Sequence, residues 1–154
     1  GWDKLTDETI DEGLSAAQWP GRLELLRRRP DFIVDGAHNP QCVDALMDSL
    51  AALYGDKKLI FLTGVLRDKD WQQMLRRALP LAKAFVVITP PSARALDENE
   101  LAAWLNKQGV QAIPARDTDD GVRRALKLAH EDDAICSWGS LYFTGEVRRV
   151  LTEQ

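Results

Sequence analysis

The chain has 154 residues, of which 45% are hydrophobic and 29% are charged, and its formal net charge is −4 at pH 7. This length is typical of a single domain, and the composition is that of a folded protein rather than of a disordered chain or a fibre. The longest apolar runs fall far short of the roughly 20 residues that a membrane-spanning helix needs, and the negative charge disfavours non-specific nucleic-acid binding, so we expect neither a membrane nor a nucleic-acid partner.

The first thirty residues differ in pattern from the rest of the chain. Residues 1–18 are predicted to form an entry helix and linker. Pro20 must end this helix, because proline fixes φ and restricts the residue before it. A short polar strand follows at 22–26, and we expect one compact domain over 19–154.

From residue 31 onward, short apolar runs alternate with stretches of helical periodicity, which predicts βα units. Strands are predicted at 32–34, 59–63, 85–89, 110–113 and 134–137. The best-marked helices begin at the cap residues Asn39 and Asp97 and stop at Gly55 and Gly109. Weaker helices are predicted at 70–79, 118–129 and 140–152. The predicted fold class is therefore α/β: a Rossmann-like, mostly parallel sheet with helices on both faces, as a single domain.

Ligands of open α/β sheets bind at the carboxyl ends of the strands, so functional side chains are expected in the loops that follow the strands. Those at 35–40, 64–70, 90–94 and 138–142 should share one rim. The charged and polar side chains that they bring to it are Asp35, His38, Asp68, Lys69, Arg94 and Ser140. The opposite rim contains only short connections without such a concentration of functional side chains, for example the segment 55–57. The topology therefore predicts which rim is the functional one.

Asp35 and His38 each allow two interpretations. Asp35 directly follows a buried strand, where a fixed carboxylate suits ribose hydroxyls or a metal-bound water, but it could equally cap the next helix. Gly36 lets the backbone turn or approach a ligand closely. His38 precedes a helix N-terminus whose free N–H groups favour an anion, although a histidine there can also be an ordinary loop residue.

Two further features limit the chemistry. Cys42 and Cys136 are too few and too far apart for a disulfide scaffold or a zinc knuckle, which points to a reducing compartment, and both are predicted to be small buried hydrophobic residues. Neither G-x-x-x-x-G-K-[ST] nor G-x-G-x-x-G occurs. These are the two glycine-rich motifs that bind the phosphates of nucleotides. The chain can therefore contribute side chains to a nucleotide site but has no complete triphosphate site of its own.

Five segments occur in the order seen in folylpolyglutamate synthases, and together they span nearly the whole chain. They are Trp19-Pro20-Gly21-Arg22-Leu23-Glu24, Asp35-Gly36-Ala37-His38-Asn39-Pro40, Gly64-Val65-Leu66-Arg67-Asp68-Lys69-Asp70, Arg94-Ala95-Leu96 and Gly139-Ser140-Leu141-Tyr142. The chain thus resembles the carboxyl-terminal domain of this branch of the Mur ligase superfamily. In that family the phosphate-binding loop and most metal ligands lie in a preceding central domain.

The resemblance implies an ATP-dependent amide ligase that adds L-glutamate to a folate or dihydropteroate through an acyl phosphate, with Mg²⁺ held mainly by the central domain. It implies nucleotide binding by Arg22 at the phosphates and Asp35 at the ribose, with His38 and Asn39 in the same motif. His38 is a possible catalytic residue near the incoming glutamate. Lys69 and Ser140 resemble groups that hold the carboxylates of glutamate, and this chain is expected to contain no metal ligands.

Several expectations follow for the whole protein. It is expected to be a cytoplasmic monomer of folate and one-carbon metabolism, whose partner is an upstream P-loop domain of the same polypeptide, and the isolated chain is expected to be inactive. Folylpolyglutamate synthase activity, dihydrofolate synthase activity or both are compatible with these residues. The alternatives are a freestanding flavodoxin-like or receiver-like binding module, and a purely structural interaction domain.

Overall fold

The computed structural model describes residues 6–16 and 19–153. The strands within this part of the chain are β1 Glu24–Arg27, β2 Asp31–Val34, β3 Leu59–Thr63, β4 Ala82–Val87, β5 Ala112–Pro114 and β6 Ala134–Trp138. The helices are α1 Asp7–Ala16, α2 Pro40–Tyr54, α3 Trp71–Ala78, α4 Glu98–Lys107, α5 Thr118–Leu128 and α6 Leu141–Thr152. A short 3-10 turn, Leu79–Leu81, joins α3 to β4.

The six strands form one sheet in the order β1-β2-β6-β3-β4-β5. Every neighbouring pair is parallel except β1 and β2, which are antiparallel. The last strand, β6, lies in the middle of the sheet, where Cys136 pairs with Ile33 of β2 and with Phe61 of β3. Flavodoxin-like and receiver domains have the order 2-1-3-4-5 with the last strand at an edge, so that alternative is wrong for this chain.

Helices cover both faces of the sheet, which confirms the predicted single α/β architecture. One core layer is packed by α2, α3 and α4 and includes Leu46, Leu75 and Leu101. The other is packed by α5 and α6 and includes Val122 and Phe143. Full burial of each such side chain contributes roughly 1.5–3 kcal/mol, so these two layers supply most of the favourable free energy of folding.

The predicted caps are present at the helices that border the rim. Asn39 accepts a hydrogen bond from the Cys42 N–H at 2.9 Å, and Pro40 occupies the first helical position of α2. Gly55 ends that helix with φ 59°, in the left-handed region. Asp97 accepts hydrogen bonds from two backbone N–H groups at the start of α4. Local sequence therefore determines where these helices begin and end.

Among the predicted strands, only 59–63 has the bounds that the structure gives it, and β2 and β6 are each longer than predicted by one residue. The other three strands are displaced: β1 occupies Glu24–Arg27 instead of 22–26, β4 occupies Ala82–Val87 instead of 85–89, and β5 occupies Ala112–Pro114 instead of 110–113. The Asn106 side chain explains the later start of β5, because it forms hydrogen bonds with both the N–H and the carbonyl of Ala112, while the Val110 N–H still donates to the end of α4. Residues 109 and 110 thus complete the helix end, and the first bond to the sheet comes from the Gln111 carbonyl, which accepts from the Phe85 N–H of β4 at 2.8 Å.

The predicted burial of the two cysteines is confirmed for one of them. Cys136 is buried in β6, and burial raises the pKa of its thiol. Cys42 is exposed, so that prediction is wrong. The reason is the helical period: α2 buries Val43, Leu46 and Met47, and position 42 lies outside this stripe.

The leading segment 1–18 is described only in part. Residues Asp7–Ala16 form helix α1, whereas residues 1–5 and 17–18 of the predicted helix and linker lie outside the described residues. The division of the chain at residue 18 therefore stays a prediction. No helix in the described ranges 6–16 and 19–153 is long and apolar enough to cross a membrane.

Candidate functional site

The middle of the sheet contains the points at which the chain changes faces. Helix α6, which follows β6, packs on the opposite face from α2 and α3, which follow the neighbouring strands β2 and β3. Such a reversal opens a crevice at the carboxyl ends of the strands, which is where ligands bind in open α/β sheets. The candidate site therefore lies around the end of β6.

The loops predicted to share this rim are in direct contact. The Asp35 N–H donates to the Ser137 carbonyl at 2.9 Å, and the Gly139 N–H donates to the Ala37 carbonyl at 2.9 Å. On the other side, the Thr63 hydroxyl donates to the Trp138 carbonyl at 2.8 Å. These bonds join the ends of β2, β6 and β3, so the polar residues of the three loops are brought together as expected.

Asp35 is buried, with 8% of its surface exposed, and both of its carboxylate oxygens accept backbone hydrogen bonds. Oδ1 accepts from the Ala37 N–H at 2.7 Å, and Oδ2 accepts from the Leu23 N–H at 2.9 Å. Neither donor belongs to α2, whose cap is Asn39. The helix-capping interpretation of Asp35 is therefore wrong, and the carboxylate instead connects the end of β2 to the turn that contains Arg22.

Arg22 extends across the loop after β2. A Cβ atom placed on Gly36 would collide with Nη1 of Arg22 and would lie 2.6 Å from Cδ2 of Leu141. A larger residue at position 36 would therefore displace the Arg22 guanidinium and the Leu141 side chain from the backbone of this loop. Arg22 is exposed, and its guanidinium donates only to the Gly21 carbonyl, at 3.2 Å, among the described residues. Its charge is not neutralised by a carboxylate in this part of the chain.

A cleft of about 280 Å³ opens beside these residues. Arg22 and Asp35 line one side of it, and Leu46 and Ser49 of α2 line the other. Its volume is close to the lower end of the range for small-molecule sites, about 300 Å³. An apolar wall opposite a fixed carboxylate and a free guanidinium suits a ligand with a flat, weakly polar part, hydroxyl groups and a negative charge.

His38 is half-buried in the same loop. Its Nδ1 lies 2.8 Å from the Gly36 carbonyl oxygen, which can only accept, so Nδ1 bears the proton. Nε2 has no hydrogen-bond partner among the residues that the structure describes. The ring is thus held in one orientation with a free nitrogen, which is what a proton acceptor or a ligand contact requires.

Lys69 and Ser140 lie at the ends of β3 and β6. The ammonium group of Lys69 has no hydrogen-bond or ion-pair partner within the described ranges, although the residue is half-buried. Ser140 is buried, with 2% exposure, and its hydroxyl accepts from the Tyr142 N–H at 3.2 Å as the cap of α6. In the sheet order β2-β6-β3, the ends of β6 and β3 lie about 5 and 10 Å from the end of β2.

Gly139, at the end of β6, lies very close to the end of β3. Its φ is 116°, and an added Cβ would lie 2.6 Å from the Thr63 hydroxyl oxygen and 2.7 Å from the Gly64 carbonyl oxygen. The glycine therefore allows β6 and β3 to lie side by side at the rim. This packing fixes the position of Ser140 next to it.

Arg94 connects three loops of the rim. Its guanidinium forms an ion pair with Asp68 at 2.7 Å and lies 3.4 Å from the Tyr142 hydroxyl of α6. Contacts with Tyr142 and Asp68 raise the pKa of Arg94. Arg94 and Asp68 thus neutralise each other, whereas Lys69 beside them keeps a free charge. Of the predicted rim residues, these two are best explained as a loop-to-loop connection.

No cluster of three or more His, Cys, Asp or Glu side chains that could hold a metal ion occurs among residues 6–16 and 19–153. The carboxylates of the rim are separated or already bonded, as Asp35 and Asp68 show. The described residues therefore do not by themselves form a magnesium site, which takes carboxylate ligands in near-octahedral geometry.

Two residues of this region had no predicted role. Glu24 accepts hydrogen bonds from the Gly21 N–H at 2.8 Å and from Nε of Arg148 at 3.1 Å. Glu24 stands in the segment that contains Arg22, so its proximity was available from the sequence. Arg148 is 124 residues away on α6, and no local pattern could have indicated it.

The fold and the position of the site define an α/β domain with a ligand crevice at the carboxyl ends of its central strands. Residues 21–141 match the family model described as "Mur ligase, glutamate ligase domain". The chain belongs to this family. The predicted resemblance to the carboxyl-terminal domain of Mur-type ligases is thereby confirmed.

The sequence is similar to two bacterial enzymes of folate metabolism. It is 29% identical over 150 residues to the dihydrofolate synthase/folylpolyglutamate synthase of Bacillus subtilis and 32% identical over 151 residues to the folylpolyglutamate synthase of Lacticaseibacillus casei. Each match covers 96% of this chain but only 34% and 33% of those proteins. The chain therefore spans about a third of the length of the curated relatives it matches.

A solved structure shows the same relationship in three dimensions. The bifunctional folylpolyglutamate synthase/dihydrofolate synthase of Yersinia pestis, complexed with AMPPNP and manganese, superposes with a TM-score of 0.85 at 29% identity. The match covers 96% of this chain and 35% of that one. A homologous enzyme of greater length thus binds an ATP analogue and a divalent metal.

Proposed function

We propose that this chain is the carboxyl-terminal domain of an ATP-dependent ligase that joins L-glutamate to a folate or to dihydropteroate. The observation that carries the proposal is the arrangement at the end of β2: the free guanidinium of Arg22 and the fixed carboxylate of Asp35 border one cleft. The family match and the folate enzymes among the relatives support the choice of reaction.

The cleft fits a nucleotide in three respects. Asp35 presents a carboxylate whose geometry is fixed by two backbone N–H groups, and such an acceptor suits ribose hydroxyl donors. The wall formed by Leu46 and its neighbours on α2 suits the flat base. Arg22 would bind the phosphates, because its five N–H donors match phosphate oxygens and no carboxylate competes for them in the described chain.

His38 and Asn39 complete this part of the site. Asn39 caps α2, so its proposed contribution to nucleotide binding is to order the turn beside the cleft. His38 presents a free Nε2, which would face the reacting groups near the incoming glutamate. We assign His38 as a possible proton acceptor for the amine of glutamate, since neutral imidazole is the usual base at neutral pH.

The glutamate would bind at the end of the rim formed by β3 and β6. Lys69 provides an ammonium without a competing carboxylate within the described residues, and the N-terminus of α6 at Ser140 provides backbone N–H groups that favour an anion. The carboxylates of glutamate are suited to both. The ends of β6 and β3 are about 5–10 Å from the end of β2. The bound nucleotide and the bound glutamate would therefore lie close to each other without overlapping.

The triphosphate cradle and the magnesium ligands would come from a P-loop domain preceding this one in the same polypeptide. The sequence contains no P-loop, and the described residues form no metal cluster. In the proposed reaction, the terminal phosphate of ATP passes to the carboxylate of the folate, giving an acyl phosphate and ADP. The amine of glutamate then attacks the acyl carbon, and inorganic phosphate leaves as the amide forms.

Catalysis would require the two domains to close on each other. An acyl phosphate is readily hydrolysed, so the residues of this rim would exclude water as well as bind substrates. On the same proposal, the protein acts as a cytoplasmic monomer in one-carbon metabolism. Both folylpolyglutamate synthase and dihydrofolate synthase activity fall within it.

The proposal is tested with the polypeptide expressed from its complete reading frame. Phosphate release is measured with ATP and Mg²⁺ while either the folate (or dihydropteroate) or L-glutamate is left out in turn. We expect steady release only with both present, and a polypeptide considerably longer than 154 residues. Release that is independent of glutamate, or a native polypeptide without an upstream P-loop, would contradict the proposal.

A further inference from the structure

The turn that contains Arg22 is held by a carboxylate that does not touch Arg22 itself. Glu24 accepts the Gly21 N–H at 2.8 Å through Oε2, and its other oxygen accepts Nε of Arg148 at 3.1 Å. The Glu24 side chain is 20% exposed and that of Arg148 is 49% exposed. The pair therefore ties the backbone immediately before Arg22 to helix α6.

Two further bonds fix the same turn from the β2 side. The Leu23 N–H donates to Asp35, and the Gly21 carbonyl accepts from the Gly36 N–H at 2.8 Å. Leu23 has φ 43°, in the left-handed region that a leucine seldom occupies. A non-glycine residue stays in this region only when its surroundings hold it there, and such residues are concentrated at functional sites.

In this turn, the backbone next to Arg22 is held in place while the Arg22 side chain stays available for a ligand. The residues on both sides of Arg22 are bonded through their backbone, while the guanidinium has no carboxylate partner among the described residues. Arg148 has a second effect, because it engages the Glu24 carboxylate that would otherwise be free to pair with Arg22 or to repel an anion bound there. A turn held in place loses less conformational entropy when the ligand binds.

We propose that Glu24 and Arg148 are positioning residues that hold Arg22 for the phosphates of the nucleotide. This inference rests on the proposed function, in which Arg22 binds those phosphates. Glu24 fixes the turn through Gly21, and Arg148 keeps the negative charge of Glu24 away from the bound phosphates. Neither residue lines the cleft that Arg22 and Asp35 border.

The test uses the polypeptide expressed from its complete reading frame, with ATP kinetics at saturating folate and glutamate. Arg22→Ala should lower kcat/KM for ATP, and Glu24→Ala should lower it about tenfold, since small misplacements of a binding group cause losses of that order or larger. Arg148→Met should give a smaller loss in the same direction, because Glu24 still accepts from Gly21. The KM for glutamate should not change in Glu24→Ala or in Arg148→Met.

A double-mutant cycle distinguishes positioning from a general structural role. If Glu24 acts through Arg22, then Glu24→Ala adds no further loss of ATP kcat/KM once Arg22 is alanine. The variants Glu24→Gln and Arg148→Met keep the test valid should Glu24→Ala fail to fold, because both retain an acceptor for Gly21. Asp44→Ala is the matched control: it removes a surface ion pair with Arg77 that joins α2 to α3.

Three outcomes overturn the inference. The first is an ATP kcat/KM unchanged in the Glu24 and Arg148 variants while Arg22→Ala lowers it. The second is a loss in the double variant equal to the product of the single losses. The third is an equal loss in Asp44→Ala, which would show a general effect of destabilisation. If Arg22→Ala itself leaves ATP kinetics unchanged, the proposed role of Arg22 fails, and the two failures are thereby distinguished.

Discussion

The buried carboxylate of Asp35 accepts a hydrogen bond from the Leu23 N–H at 2.9 Å, across 12 positions of sequence. This bond places the turn of Arg22 beside the carboxyl end of β2, and the Ala37 N–H occupies the second oxygen of the same carboxylate. Asp35 therefore holds the cleft together and also borders it. Its structural role and its proposed role in ribose binding are separable only by experiments that measure both.

Replacing Asp35 by alanine should affect stability and nucleotide use together. The buried Ala37 N–H would lose its acceptor, at a cost of about 1–3 kcal/mol in the free energy of unfolding, and loss of the part-buried Leu23 bond should cost less. Loss of a charged acceptor for the ribose, about 1.5–3 kcal/mol, should lower ATP kcat/KM about ten- to hundredfold. Urea unfolding and ATP kinetics of the complete polypeptide measure the two effects.

Asp97→Ala is the matched control for Asp35, because Asp97 also accepts two backbone N–H groups, at the start of α4, and lies outside the cleft. It should lower stability without changing ATP kinetics. If Asp35→Ala behaves like this control, the carboxylate is structural only.

Ser140→Ala tests whether the cap of α6 is also a glutamate contact. Loss of the cap should cost about 1 kcal/mol of stability. The substrate role predicts in addition a selective rise in the KM for glutamate, with little change for ATP. Asp117→Ala, which removes the cap of α5, should lower stability and leave the glutamate KM unchanged. An unaltered glutamate KM in Ser140→Ala, with a lowered Tm, would reject the substrate role.

This 154-residue chain by itself should bind nucleotide weakly and turn over no ATP. Without a phosphate cradle, only the Arg22 and Asp35 side of the site is present, so we expect a Kd in the millimolar range or weaker, about −4 kcal/mol. Calorimetry with ATP and Mg²⁺ on the purified chain measures this affinity. Micromolar binding or steady phosphate release would show that the chain needs no second domain for nucleotide.

Tyr54 should make stability depend on pH in the alkaline range. Burial and a 2.9 Å hydrogen bond from its hydroxyl to Asp31 raise the pKa of Tyr54 from 10 to about 12. The neutral phenol is thus favoured in the folded state, and its contribution is complete below pH 10 and lost as the pH rises towards about 12. Tyr54→Phe should therefore have a lower free energy of unfolding than the natural protein below pH 10. This difference should become smaller as the pH rises from 10 to about 12. Urea unfolding of both proteins at intervals of roughly one pH unit measures this difference. A difference in the free energy of unfolding that stays constant from about pH 9 to about pH 12 would contradict the raised pKa.

The sheet and the helix starts could be predicted because their signals are local. Asn39 with Pro40 marks the start of α2, and an apolar run such as Leu59–Thr63 needs only burial on both faces to form a strand. The start of β5 could not be predicted, because it depends on the Asn106 side chain bonding to Ala112. Tertiary contacts of this kind leave no periodic pattern in the sequence.

In the candidate site, too, some features have local signals in the sequence and others depend on tertiary contacts. The position of Asp35, Lys69 and Ser140 on one rim could be predicted because each follows a strand, and topology alone brings strand ends together. The two bonds of Asp35 and the pairing of Glu24 with Arg148 depend on how distant segments pack, so position in the sequence could not indicate them.

The most direct test of the central claim is the mass of the folate product. The complete polypeptide is incubated with ATP, Mg²⁺, L-glutamate and either a folate or dihydropteroate, and the products are analysed by mass spectrometry together with ADP and phosphate. We expect the product to gain one glutamate residue for each ATP consumed, and Arg22→Ala to reduce this gain. ATP consumption without attachment of glutamate to either acceptor would contradict the claim.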